Sequence, residues 1–269
     1  MNLPSPADIA VAVFRWVEYA GLLGFIGVVV IRRLAGMRPP VTWARVSMVP
    51  ALAGALIGGV GVLAAGTLHT GHPDIAVVAR VALEAIALGL CLFVRRWVVP
   101  PAIAAALVLP YAGHAALAAS ALGAGAVLVD AVHILSAGMW GGSILVLASL
   151  GPPGGWGGEE AHTLLQRFAP VAFLAFAITA MTGLLQASAA IGDPGNLWTS
   201  PYGLVLAAKT AGVLVMVAIS ALAWRRGWRF ARVEGLVVLF VLAATALLAA
   251  FPVPPEYNMV VLVGRWFGE

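Results

Sequence analysis

Along the chain the apolar positions gather into long unbroken runs, at about 8–31, 47–67, 75–94, 98–121, 124–150, 164–191, 203–224 and 233–251. Each run is close to the ~20 residues needed to cross a hydrocarbon core of ~30 Å. The pattern predicts an all-α membrane protein, an eight-transmembrane-helix bundle. Helix-breaking residues stand in the gaps: Pro39-Pro40, Pro73-Asp74, Pro100-Pro101, Gly151 to Gly155 and Asp193-Pro194-Gly195. In the fourth run Pro100, Pro101 and Pro110 are expected to shorten or kink the helix.

Composition sharpens this picture. Of 269 residues, 62% are hydrophobic and 10% charged, against about 25% charged in soluble domains, which excludes a water-soluble globule. The single cysteine, Cys91, excludes a disulfide framework or a Cys-rich metal site. The N-terminal ten residues carry no Lys or Arg, and the first apolar run outlasts a signal-peptide core, so a retained span is expected.

The pI of about 9.8 first suggests nucleic acid, but the basic residues punctuate apolar runs instead of forming a patch. Arg32, Arg33, Arg38, Arg45, Arg95, Arg96, Arg167, Arg225, Arg226, Arg229 and Arg232 all fall in alternate gaps or, for Arg167, at the first turn beside one. Under the positive-inside rule these gaps are cytoplasmic, so both termini are expected outside. Trp97, Trp198, Trp224, Trp228 and Trp266 fall near the expected interfaces, where an amphipathic indole suits a belt.

The runs also repeat. Arg80 leading to Arg95-Arg96-Trp97 lies over Lys209 leading to Arg225-Arg226-Gly227-Trp228, and Arg15, Glu18 and Gly27 lie over Asp130, His133 and Gly142. Four spans per half predict parallel repeats: an N-terminal half at 1–123, a second half at 124–251, and an outer tail at 252–269.

Ionisable residues within hydrocarbon are costly and are functional candidates by default. Arg15 and Glu18, Arg80 and Glu84, and Asp130 and His133 each share a helix face by their spacing, whereas Lys209 and His114 have no local partner. At ~1.5 Å per residue, Glu18, Glu84, His133 and Met181 reach similar depths in the outer half. Local pairing suggests ion pairs that hold the bundle in register. Asp130 one turn from His133 suggests the carboxylate support common behind a metal-bound imidazole. Outside the membrane, His69, His72 and Asp74 form an H-x-x-H with a following carboxylate, suited to Cu(II) or Zn(II). The chain has no phosphate-cradling P-loop, zincin helix or nucleophile elbow, and no enzymatic activity is expected.

The fifth run reads Asp130-Ala-Val-His133-Ile-Leu-Ser-Ala-Gly-Met-Trp140-Gly141-Gly142. Later come Thr182-Gly183-Leu184-Leu185 and Leu197-Trp198-Thr199-Ser200-Pro201-Tyr202-Gly203 before Lys209. Together they resemble the copper resistance protein D family of bacterial inner-membrane proteins, over about 124–251. The resemblance implies copper uptake or delivery across the cytoplasmic membrane, with a CopC-like periplasmic copper-binding partner, and it carries His133, Trp140, Tyr202 and Lys209 over by position. The resulting expectation is a protein that accepts copper from the periplasmic side at His69 and His72. An inner site near His133 would receive it, with His114, Met181 and Glu84 as candidate co-ligands. Two alternatives remain open at this point: a b-type haem or quinone electron-transfer protein using His114 and His133, and a structural or assembly subunit of a membrane complex.

Overall fold

The computed structural model describes residues 5–112, 124–190, 196–226 and 231–250, and among these the chain is all-helical. Helix α1 (Pro6–Ala35) opens with a capping box. Asp8 N–H donates to Ser5 Oγ at 3.3 Å, Ser5 N–H donates to Asp8 Oδ2 at 2.9 Å, and Pro6 fills the first turn. At 30 residues it runs for about 45 Å and forms the axis of the bundle. It touches α2 (Val49–Thr70), α4 (Val99–Val108), α5 (Ala124–Ala137), α6 (Ser143–Ser149), α7 (Glu159–Ala190) and α9 (Ala231–Leu248).

Close approach at this axis depends on glycine. A Cβ on Gly58 of α2 would stand 2.6 Å from Glu18 Cα, and one on Gly21 of α1 would stand 2.6 Å from Ala55 Cα. Backbones pressed this closely are the small-residue packing of membrane helices, where no hydrophobic drive separates helix from lipid. Gly27 of α1 and Gly142, the residues laid opposite in the repeat alignment, meet face to face.

Asp74 caps α3 (Ile75–Gly89) by accepting from Ala76 N–H at 2.8 Å. A wider π turn, Leu90–Val94, prolongs α3. Helix α5 likewise passes through a π turn, Gly138–Gly142, into α6. After the single helical turn Asn196–Thr199 comes α8 (Pro201–Arg226), which packs on α9. Seven helical stretches are long and apolar enough to span a bilayer. The fourth run is shortened, as its prolines predict: Pro100 and Pro101 sit in the first turn of a ten-residue α4, and the chain tightens to 3₁₀ geometry at Leu109–Ala112 around Pro110. The rest of that run lies outside the described residues, so the seven spans are a count of the described residues alone.

The core forms where α1 meets α6, α7 and α9, around Ile31, Ile144, Leu147, Leu164 and Val238. Phe173, Leu174 and Leu184 of α7 are 75%, 62% and 71% exposed, as suits a face whose solvent is lipid. Among the basic residues counted for topology, Arg32, Arg33, Arg38, Arg45, Arg95, Arg96 and Arg232 are exposed. Arg167 differs: its guanidinium donates to the carbonyls of Leu34, Met37 and Pro39 at 3.0, 3.2 and 2.8 Å, satisfying the open C-terminal end of α1. Of the belt tryptophans, Trp97 and Trp198 are largely exposed. Trp228, Trp266 and the Trp224 side chain lie outside the described residues.

Candidate functional site

Among the described residues the intramembrane candidates named above gather into two polar clusters, and their pairings differ from those the spacing predicted. On α1 and α3 the local pairs are replaced by a cross-helix one. Arg80 donates from Nε to Glu18 Oε1 at 2.5 Å and from Nη2 to Glu18 Oε2 at 3.1 Å. Arg80, Glu18 and Glu84 are all essentially inaccessible. Arg15 reaches instead to the carbonyl of Ala249 at 3.3 Å, just past α9. The i,i+3 and i,i+4 spacing placed these side chains on shared faces, but a two-pronged guanidinium finds a better fit in a carboxylate across the helix gap.

On α5 and α7 a second cluster forms a ladder. Asp130 accepts from Gln186 Nε2 at 3.0 Å, His133 Nδ1 meets Thr182 Oγ1 at 3.0 Å, and Thr179 Oγ1 donates to Ser136 Oγ at 2.8 Å. Residue numbers rise on α5 as they fall on α7, one rung per turn, as two antiparallel helices require. Asp130 therefore does not orient the histidine as expected; Thr182 does. The Thr182 hydroxyl spends its proton on the carbonyl of Ile178 at 2.7 Å, so its oxygen accepts from His133. This arrangement favours the Nδ1–H tautomer, in which Nε2 carries the lone pair. Gly183 makes space for the ring: a Cβ there would sit 3.2 Å from His133 Cε1.

Lys209 of α8 joins this cluster electrostatically, close enough to act on both Asp130 and His133 without a direct ion pair. Tyr202 stands two turns earlier on α8, where Ser200 Oγ accepts from Gly203 N–H at 2.9 Å. Trp140 is buried in the π turn and packs edge to face on Phe176 with centroids 4.8 Å apart, so it belongs to the core rather than to a polar network.

The expected co-ligands separate. Glu84 has Glu18 and Arg80 as its charged neighbours, while His133 has Lys209, so Glu84 does not accompany the histidine. Met181 is 69% exposed, because one position along a helix turns the side chain by about 100° and gives the inward place to Thr182. His114 lies outside the described residues. At the far end of α2, His69 and His72 are exposed, and His69 lies near Asp8 at the start of α1. The carboxylate expected to join them, Asp74, is engaged as the α3 cap. Among the described residues no three or more His, Cys, Asp or Glu side chains gather to hold a metal ion.

The residues missed from the sequence were Thr179, Thr182, Gln186 and Ser136. Their signal was present: polar residues at i, i+3 and i+7 on an otherwise apolar helix mark one face, and Ser136 stands one turn from His133.

Residues 162–248 match the family model for copper resistance protein D. No curated protein and no solved structure gives a match. Over that stretch the chain is similar to copper resistance protein D, and the apolar helices make it a multi-pass membrane protein.

Proposed function

We propose that this protein, a multi-pass membrane protein of the copper-resistance type, handles copper as cargo in the bacterial inner membrane. It accepts the ion from the periplasmic side and holds it at His133. The observation that carries the reading is the contact of His133 Nδ1 with the Thr182 hydroxyl, itself bonded to the Ile178 carbonyl. Donation from Nδ1 to Thr182 leaves Nε2 as a neutral nitrogen ligand whose ring is already oriented, the arrangement metal-bound histidines use. A carboxylate and an ammonium, Asp130 and Lys209, flank it. Asp130 offsets the charge of an arriving cation, and Lys209 opposes it.

His69 and His72, exposed beside the N-terminal end of α1, are the proposed outer contact, and His114 is the proposed second imidazole for the inner one. The side assignment rests on the basic residues concentrated in alternate gaps. A CopC-like periplasmic protein is the proposed donor.

The test is copper content of the full chain, purified in detergent and loaded with copper, by elemental analysis. Wild type should retain copper, His133→Ala should lose it, and the double variant His69→Ala/His72→Ala should load more slowly while retaining the inner site. Equal copper in wild type and His133→Ala would overturn the assignment of His133. A wild type without copper would overturn the copper reading itself.

A further inference from the structure

The Glu18–Arg80–Glu84 cluster has no part in the copper reading, and its chemistry is incomplete as it stands. Arg80 gives two hydrogen bonds to Glu18. Glu84 is fully enclosed, and neither of its carboxyl oxygens has a hydrogen-bond partner. Two carboxylates and one guanidinium carry a surplus negative charge, and a dry interior does not tolerate it.

Geometry supplies the remedy. The two carboxyl groups converge on the bare backbone of Gly59 in α2: a Cβ there would meet Glu84 Oε2 and would lie 3.1 Å from Glu18 Oε1. Glu84 and Glu18 are within hydrogen-bonding reach of one another once one carries a proton. A proton on Glu84 cancels the surplus charge and supplies the donor that Glu18 can accept.

Of the other charged or titratable groups nearby, Arg15 acts on Glu18 but not on Glu84 and is held by the Ala249 carbonyl, and Tyr111 of the 3₁₀ turn packed on α3 is exposed. From α1 come Glu18, with Arg15 and Tyr19 beyond it. From α3 itself comes Arg80. The titratable residue of α2, His69, is exposed at the far end of that helix, and α4 has none.

We propose that Glu84 is an intramembrane proton-binding site, a carboxylic acid that donates to the Glu18 carboxylate and exchanges its proton with water when the helices part. In the exchange the Glu84 O–H bond breaks and the proton passes to water as hydronium, and a hydronium ion returns a proton to the carboxylate oxygen, leaving water, as the helices close. The ligand is the proton, and the proposal is independent of whether His133 binds copper.

Infrared difference spectroscopy on the full chain in lipid vesicles tests it. Wild type minus Glu84→Gln at neutral pH should show a protonated carboxyl C=O band that shifts down after transfer to heavy water. Gln keeps the shape and a donor to Glu18, so the variant should fold. If it does not, Glu84→Asp serves in its place, with the band displaced rather than lost. Absence of the band would show Glu84 ionised and overturn the proposal. A band that never shifts in heavy water would show a sealed hydrogen bond and overturn it equally.

Discussion

The two polar clusters are laid out alike and built for different degrees of access. In each, an acidic or imidazole residue on one helix faces a cation two apolar runs later: Glu18 on α1 with Arg80 on α3, and Asp130 and His133 on α5 with Lys209 on α8. The first is sealed by Gly58 and Gly59, with direct ion-pair contact and essentially no accessible surface. The second is half-buried. Its partners are neutral amides and hydroxyls, and its cation acts at a distance. A charge held by a guanidinium in direct contact is committed to the fold; an imidazole held by a hydroxyl keeps a nitrogen free for chemistry.

The largest effect should come from opening the sealed cluster. Arg80→Leu strands Glu18 beside Glu84, and breaking one partner of a buried pair costs ~3–5 kcal/mol. Little folded protein should be recovered, as judged by size-exclusion profile and thermal melt in detergent. Lys209→Met, the matching change in the other cluster, removes no direct contact and should yield folded protein. If the two variants lost stability equally, the contrast between the clusters would be wrong. Lys209→Met should also tighten copper, because a positive charge acting on the His133 site is removed.

Next comes Thr182→Val, which keeps the shape and removes the acceptor of the His133 ring. An unsatisfied buried donor costs about 1–3 kcal/mol, and loss of an orienting partner typically weakens metal binding by about 10–100-fold. Thr182→Ser should restore both. Copper titration of the three proteins distinguishes an oriented imidazole from one that merely packs, since packing alone would leave affinity unchanged in Thr182→Val.

The sequence was most readable where one residue type settles the matter. Apolar runs gave the spans because a bilayer accepts nothing else in bulk, whereas the contact of Gly27 with Gly142, paired in the sequence only as equivalent positions of a repeat, came from the structure. Pairing was less readable. Helical spacing says which residues share a face and is silent about what lies across the gap. The local pairs Arg15–Glu18, Arg80–Glu84 and Asp130–His133 therefore gave way to Arg80–Glu18, Arg15 to the Ala249 carbonyl, and the α5–α7 ladder. Proline was read correctly as a disturbance of the fourth run, but its consequence, a ten-residue α4 running into a 3₁₀ turn, depends on where the prolines fall in the helix.

The smallest effect should come from Met181→Ala. Depth along the chain puts Met181 level with His133, and a thioether is a fitting donor for Cu(I). Its side chain, however, is 69% exposed, and the inward position belongs to Thr182, so the ring nitrogen and the sulfur look out on different surroundings. Removing an exposed side chain clear of caps and networks typically changes stability by less than ~0.5 kcal/mol. Copper stoichiometry and affinity should therefore match wild type. A clear loss of copper in Met181→Ala would mean that α7 turns about its axis when the ion binds, exchanging the Thr182 face for the Met181 face. The half-buried cluster would then be a moving site, with Thr182 as its resting latch.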